Sequence, residues 1–252
     1  MISKAGIGLL LCWLAWTPLH AETVTVAVAS NFIQAAREIA ALFEAQHGHQ
    51  VQLSASSSGK LYAQISHGAP FDVFLSADVE RPTLLETAGL TVAGSRRTYA
   101  RGRLVLWSAD ARYQGKDCRQ ALQAGDFDRL AIANSRTAPY GVAAEQALIS
   151  LGLDPTALTG RIAMGESIAQ TLQFVASRSA SMGLIADAQL RLPNIPEGSC
   201  HWRVPPQLHE PIEQQLVLLK RGAENTAARD LVAFLVGTQA SEIIQAHGYG
   251  VD

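Results

Sequence analysis

Thr23-Val24-Thr25-Val26-Ala27-Val28-Ala29-Ser30-Asn31-Phe32-Ile33-Gln34-Ala35-Ala36-Arg37-Glu38-Ile39-Ala40-Ala41-Leu42-Phe43 changes period half-way, and that change decides the fold. Its first seven residues form an uncharged, β-branched run suited to a buried strand. After Ser30, Ile33, Ala36, Ile39, Ala40 and Phe43 recur at helical spacing until Gly48. The unit is strand, polar turn, helix. It repeats as Val51-Gln52-Leu53-Ser54-Ala55, then Ser56-Ser57-Ser58-Gly59, then a helix carrying Leu61, Ala63 and Ile65, with Asp72-Val73-Phe74-Leu75-Ser76 as the next strand. Such alternation specifies an α/β fold, a parallel or mixed sheet flanked by helices.

A second series begins with Leu104-Val105-Leu106-Trp107 and continues through Arg129-Leu130-Ala131-Ile132-Ala133. Pro139-Tyr140-Gly141 opens a helix through Leu148 and Leu151. Arg161-Ile162-Ala163-Met164 leads through Gly165-Glu166-Ser167 into a helix with Ile168, Leu172 and Val175. Ser181-Met182-Gly183-Leu184-Ile185 is a further strand, the Pro-rich stretch 192–211 reads as a return connection, and Gln214 to Leu219 is strand-like. The tail is helical, through Leu231, Phe234 and Leu235 and then Ile243 and Ile244. Those last helices have no sheet of their own, so they are expected to pack on the first. The expected division is one discontinuous lobe, 22–102 plus 208–252, and a second lobe, 103–207, joined by a two-stranded hinge.

The chain has 252 residues, with 20 Lys and Arg against 22 Asp and Glu. Two lobes of about 100 residues each fit this length. The balance lacks the basic excess that a nucleic-acid binder uses against phosphates, so nucleic acid is set aside. In residues 1–21 Lys4 is the only charged side chain, and the apolar run is shorter than the roughly 20 residues that span a bilayer. It reads as a signal peptide cut after Ala21, which places the mature protein in the periplasm. Cys12 leaves with the leader. The two remaining cysteines, Cys118 and Cys200, are candidates for a disulfide in that oxidising compartment.

Four turns place small or hydroxylic residues where a helix begins: Ser30-Asn31, Ser57-Ser58-Gly59, Pro139-Tyr140-Gly141 and Glu166-Ser167-Ile168. A helix N-terminus has unpaired N–H groups and about half a positive charge, and such turns gather at the carboxyl ends of the strands, where ligands bind. Two turns from each lobe would cage a small oxyanion without any cationic side chain. The same serines also suit simple N-capping.

The ordered motifs Val26-Ala27-Val28-Ala29-Ser30-Asn31-Phe32, Ser57-Ser58-Gly59-Lys60-Leu61-Tyr62-Ala63-Gln64-Ile65, Gly68-Ala69-Pro70-Phe71-Asp72-Val73-Phe74-Leu75-Ser76-Ala77-Asp78, Thr137-Ala138-Pro139-Tyr140-Gly141 and Gly165-Glu166-Ser167-Ile168-Ala169-Gln170-Thr171-Leu172 resemble the periplasmic molybdate-binding proteins of ABC importers. The resemblance continues through Val217-Leu218-Leu219-Lys220 and Tyr249-Gly250, and so spans nearly the whole mature chain. It implies a two-lobed type II periplasmic-binding fold that closes on molybdate or tungstate and delivers the anion to a membrane permease. It implies no cofactor, and a monomer is expected. Ser30 and Ser58 match hydroxyl and backbone donors, and Tyr140 and Ile168 match backbone N–H donors. The position of a tyrosine ligand used by many members is Ala186 here, and Asn31 is nominated as the replacement donor. A fully ionised tetrahedral anion has only acceptor oxygens and suits a ring of donors, whereas a partly protonated phosphate also needs an acceptor. Sulfate, or another tetrahedral oxyanion in the same fold, is the alternative ligand.

Ser167 in Gly165-Glu166-Ser167-Ile168-Ala169, followed by Asp187 and by His201 or His209, follows the chain order of an α/β serine hydrolase, a remote enzyme alternative. The closing glycine of that motif is Ala169, and no His-Gly-Gly element is present. His47-Gly48-His49 lacks a third metal ligand nearby. Arg96, Arg97, Arg101 and Arg103 are read as a solvated surface, and Glu166 is expected to cap its helix and face outward.

Overall fold

The computed structural model describes residues 21–251, so the expected leader lies, apart from Ala21, outside the described residues. Among the described residues no helix is long and apolar enough to cross a membrane. In chain order the elements are β1 (Thr23–Ala29), α1 (Ile33–His47), β2 (Gln50–Ser56), α2 (Ser58–Ser66), β3 (Val73–Leu75), α3 (Glu80–Thr87), β4 (Arg97–Gly102), β5 (Leu104–Ser108), α4 (Cys118–Gln123), β6 (Leu130–Ala133), α5 (Pro139–Ser150), β7 (Ile162–Gly165), α6 (Ile168–Ala176), β8 (Met182–Ala186), β9 (Cys200–Arg203), β10 (Ile212–Leu218), α7 (Thr226–Leu235) and α8 (Thr238–Ala246).

Two mixed five-stranded sheets result, ordered β2-β1-β3-β10-β4 and β7-β6-β8-β5-β9. Both follow one plan. The first three strands of each sheet are parallel, and an antiparallel strand follows that has just arrived from the other sheet. The chain therefore crosses between sheets twice, from β4 to β5 and from β9 to β10.

β1 is buried on both faces, as its β-branched run requires. Val24, Val26 and Val28 pack with Ala36, Ile39 and Phe43 of α1 and with Leu231, Leu235 and Ile244 of the last two helices. Ala27 on the opposite face packs with Leu61, Phe74 and Val217. Each large apolar side chain so buried contributes about 1.5–3 kcal/mol. α1 stops at Gly48, whose φ of 71° lets its N–H return to the Glu44 carbonyl at 2.9 Å. The disulfide joins Cys118 at the start of α4 to Cys200 at the start of β9, 82 residues apart. Closing such a loop contributes about 4 kcal/mol in the chain-entropy account.

Three elements escape the sequence periodicity. The arginine-rich stretch read as a solvated surface contains β4, an edge strand in which only the adjacent Tyr99 and Ala100 are buried, beside a bulge at Gln214 and Gln215 of β10. β9 lies inside the stretch read as a connection, held by pairing to β5 and by the disulfide. α3 buries only Pro82 and Leu85, too few for a helical stripe to show.

Candidate functional site

The parallel registers bring the four turns together. Ala29 and Ser56 end β1 and β2 side by side, and the Ser30 N–H donates to the Ser56 carbonyl at 2.9 Å, which sets the first turn against the second. At the end of β3 the Ala77 N–H donates to Ser58 Oγ at 2.9 Å, leaving the hydroxyl proton of Ser58 to be donated elsewhere. In the second sheet Ala133 and Gly165 end β6 and β7 in register, with the Asn134 N–H on the Gly165 carbonyl at 2.7 Å. The starts of α5 and α6 thereby converge.

Between the two sheets Ser30, Asn31, Ser57, Ser58, Tyr140 and Ile168, with alanine and proline completing the wall, surround a small cavity of about 10 Å3. No lining residue carries a charge. All five residues nominated from the sequence are in this wall, with Ser57 as an addition. Ser58, Tyr140 and Ile168 are first-turn residues whose N–H groups have no acceptor within their own helices, and none of them donates to another backbone carbonyl among the described residues.

The walls meet across the cavity. The Gly59 N–H donates to the Thr137 carbonyl at 2.8 Å, and a Cβ at Gly59 would stand 2.9 Å from Thr137 Cα, so only glycine allows this approach. Lys60 Nζ pairs with Glu166 Oε2 at 2.9 Å over the cavity rim. Its hydrogen bond holds the Glu166 carboxyl below the ordinary glutamate range, assisted by the Lys60 charge. Glu166 thus faces outward, but it does not cap α6. Ser167 does, its Oγ accepting from the Gln170 N–H at 3.3 Å.

Asn31 requires a correction. Its Nδ2 donates to Gln214 Oε1 at 2.9 Å and to Tyr249 Oη at 3.2 Å, and Tyr249 Oη donates to the Asn31 carbonyl at 2.7 Å. With both amide hydrogens engaged, the side chain does not replace the tyrosine missing at Ala186. Asn31 can offer its backbone N–H, which has no acceptor among the described residues. Ala186 is fully buried outside the cavity wall, its N–H donated to Gln189 Oε1 at 3.0 Å. Gln189 in turn donates to the Ile168 carbonyl at 3.0 Å, fixing the peptide that opens α6. Tyr140 presents its backbone at the cavity, while its ring is buried and its Oη accepts from Gln214 Nε2 at 3.4 Å. Burial, followed by the neighbouring Tyr249 and Tyr99, raises its pKa well above the ordinary value, so it remains protonated.

The family whose sequence pattern matches residues 24–250 is described as bacterial extracellular solute-binding protein. The chain belongs to that family. The molybdate-binding protein ModA of Azotobacter vinelandii is 45% identical to this solute-binding protein over 251 residues, covering 100% of this chain and 97% of the relative. That of Rhodobacter capsulatus is 44% identical over 233 residues, covering 92% and 90%. Among solved structures, the Azotobacter vinelandii periplasmic molybdate-binding protein superimposes with a TM-score of 0.83 at 39% identity, over 91% of this chain and 99% of that one. The two-lobed α/β architecture of periplasmic binding proteins is therefore the fold of this chain.

These relatives are solute binders, not enzymes, and the hydrolase arrangement does not assemble. Ser167 caps a helix, His209 Nδ1 contacts the Glu210 carbonyl, and Asp187 is paired with Arg191 and Arg203. Burial pushes the Asp187 carboxyl up, but the two arginines outweigh it and hold it below the usual range. His47 stacks on Phe43, and His49 faces Asp230 at 3.7 Å. Among the described residues no group of three or more His, Cys, Asp or Glu is placed to hold a metal ion.

Proposed function

We propose that this protein captures molybdate or tungstate in the periplasm and delivers it to the permease of an ABC importer. The lobes, 22–102 with 208–252 and 103–207, close on the anion about the two crossings, and the protein acts as a monomer. Ser30 and Ser58 donate through hydroxyl and backbone groups, and Asn31, Tyr140 and Ile168 through backbone N–H groups.

One observation carries this reading: an uncharged cavity whose wall combines serine hydroxyls with the unpaired N–H groups of several helix starts. An ionised tetrahedral anion supplies acceptors to every donor, and helix dipoles offset its charge without a counter-ion. A partly protonated phosphate brings a proton with no good acceptor. Sulfate has the right charge but shorter bonds, and rigidly fixed donors do not contract onto it. The relatives named for molybdate are 44–45% identical across almost the entire chain, which supports the choice of anion.

The test is isothermal titration of the mature, anion-stripped protein with molybdate, tungstate, sulfate and phosphate at one ionic strength. Tight one-to-one binding of the first two, with the others weak or silent, is expected. Preference for sulfate overturns the ligand, and no heat with any of the four overturns the site.

A further inference from the structure

Ser57 is the N-cap residue of α2, with extended backbone angles of φ −69° and ψ 149°. A serine there ordinarily turns its oxygen onto an N–H two or three residues ahead. Ser57 does not, and its Oγ is buried in a residue only 3% exposed. It is the one buried side-chain polar atom without a hydrogen-bond partner among the described residues. Ser167 occupies the corresponding position of α6, and its Oγ does cap its helix. Ser58, the next residue along, has its Oγ engaged by the Ala77 N–H. The Ser57 hydroxyl has neither occupation.

Buried hydroxyls are almost always paired, because leaving one unsatisfied forfeits its hydration without return. Ser57 lines the same cavity as the five residues nominated from the sequence. Around that cavity the backbone N–H groups of Asn31, Ser58, Tyr140 and Ile168 have no backbone acceptor, and no carbonyl of the wall accepts the Ser57 proton. What the hydroxyl lacks is an acceptor, and an oxyanion consists of acceptors. We propose that Ser57 is itself a ligand, donating its hydroxyl proton to an oxygen of the bound tetrahedral anion beside the bond from Ser58. This rests on the reading of the cavity as an oxyanion site. On that basis the second turn supplies two hydroxyls to the anion, and the orphan state of Ser57 belongs only to the ligand-free protein.

The test compares wild type with Ser57→Ala and Ser57→Gly, titrating molybdate, tungstate and sulfate into stripped protein and recording melting curves with and without anion. Glycine is a good helix start without a hydroxyl, so it separates capping from ligation. Both variants are expected to bind the preferred anion about 10- to 100-fold more weakly, the range for losing one hydrogen bond to a charged group. Ligand-free melting temperatures should be unchanged or higher, because an unsatisfied buried hydroxyl has been removed. The increase in melting temperature on adding anion should shrink accordingly. If wild type binds and either variant binds equally well, Ser57 is not a ligand while the site stands. Weaker binding accompanied by a lowered ligand-free melting temperature in both variants overturns the proposal in favour of a structural role. If wild type binds none of the anions, the site reading fails and Ser57 falls with it.

Discussion

The starts of α2 and α6 look alike as sequence, Ser57-Ser58-Gly59 against Glu166-Ser167-Ile168, and face each other across the cavity. Their chemistry differs. At α6 the serine is used up as a cap on the Gln170 N–H, and the cavity receives the Ile168 backbone. At α2 neither serine caps the helix: Ser58 accepts from Ala77 and keeps its proton, and Ser57 has no partner. One lobe therefore offers hydroxyls and amides, while the other offers amides alone. Side-chain substitutions should act on affinity in the first lobe and on stability in the second.

The largest effect should come from emptying the hydroxyl side. Ser30→Ala with Ser58→Ala is expected to weaken molybdate binding by about 1–3 kcal/mol for each donor lost. Titration measures it, and a double variant binding within threefold of wild type would remove the distinction between the lobes. Ser58→Ala should also lower ligand-free stability, because it strips the buried Ala77 N–H of its acceptor.

Next is the contact between the two walls. Gly59→Ala puts a Cβ against the Thr137 backbone of the opposite wall, and moving the two walls apart relieves the clash. Affinity is expected to drop about 10-fold or more as the closed population falls. Small-angle scattering in saturating anion should show a more open particle than wild type, and an equally compact one would contradict the contact.

On the α6 side, Ser167→Ala removes a cap and is expected to lower stability by about 1 kcal/mol. Anion affinity should change less than threefold. A larger loss of affinity than of stability would place the Ser167 hydroxyl on the anion and erase the contrast.

The smallest effect concerns Lys60 and Glu166, the pair that links the two helix starts. Both side chains are about half exposed, so Lys60→Ala should weaken binding by about twofold or less, and less still in high salt. Lys60 lowers the Glu166 pKa, so the pair's contribution is complete above the ordinary glutamate range and is lost as pH falls through the lowered value. Acidification should therefore weaken closure in wild type more than in Lys60→Ala. Identical pH profiles would show that the pair contributes nothing.

Most of the α/β plan was legible because its signals are local. The β-branched run at Thr23–Ala29, the helical spacing from Ile33 to Phe43 and the glycine that stops α1 each act within one turn or strand. β4 and β9 were not, because an edge strand with one short buried stretch presents no period, and β9 owes its place to pairing with β5 and to the bridge from Cys118. The site divides in the same way. The four turns announced themselves by residue type, since any helix start offers N–H groups.

Which hydroxyl or amide remains for a ligand was decided by partners far away in the chain. Asn31 loses its amide hydrogens to Gln214 and Tyr249, 183 and 218 residues on. Ser58 gains its fixed orientation from Ala77, and Ser57 finds no partner. The sequence by itself determined where donors could be, because donor inventory and helix starts are properties of residue types and short segments. The tertiary structure alone decided which donors are still unspent, because a hydrogen bond occupies its proton wherever along the chain the acceptor comes from.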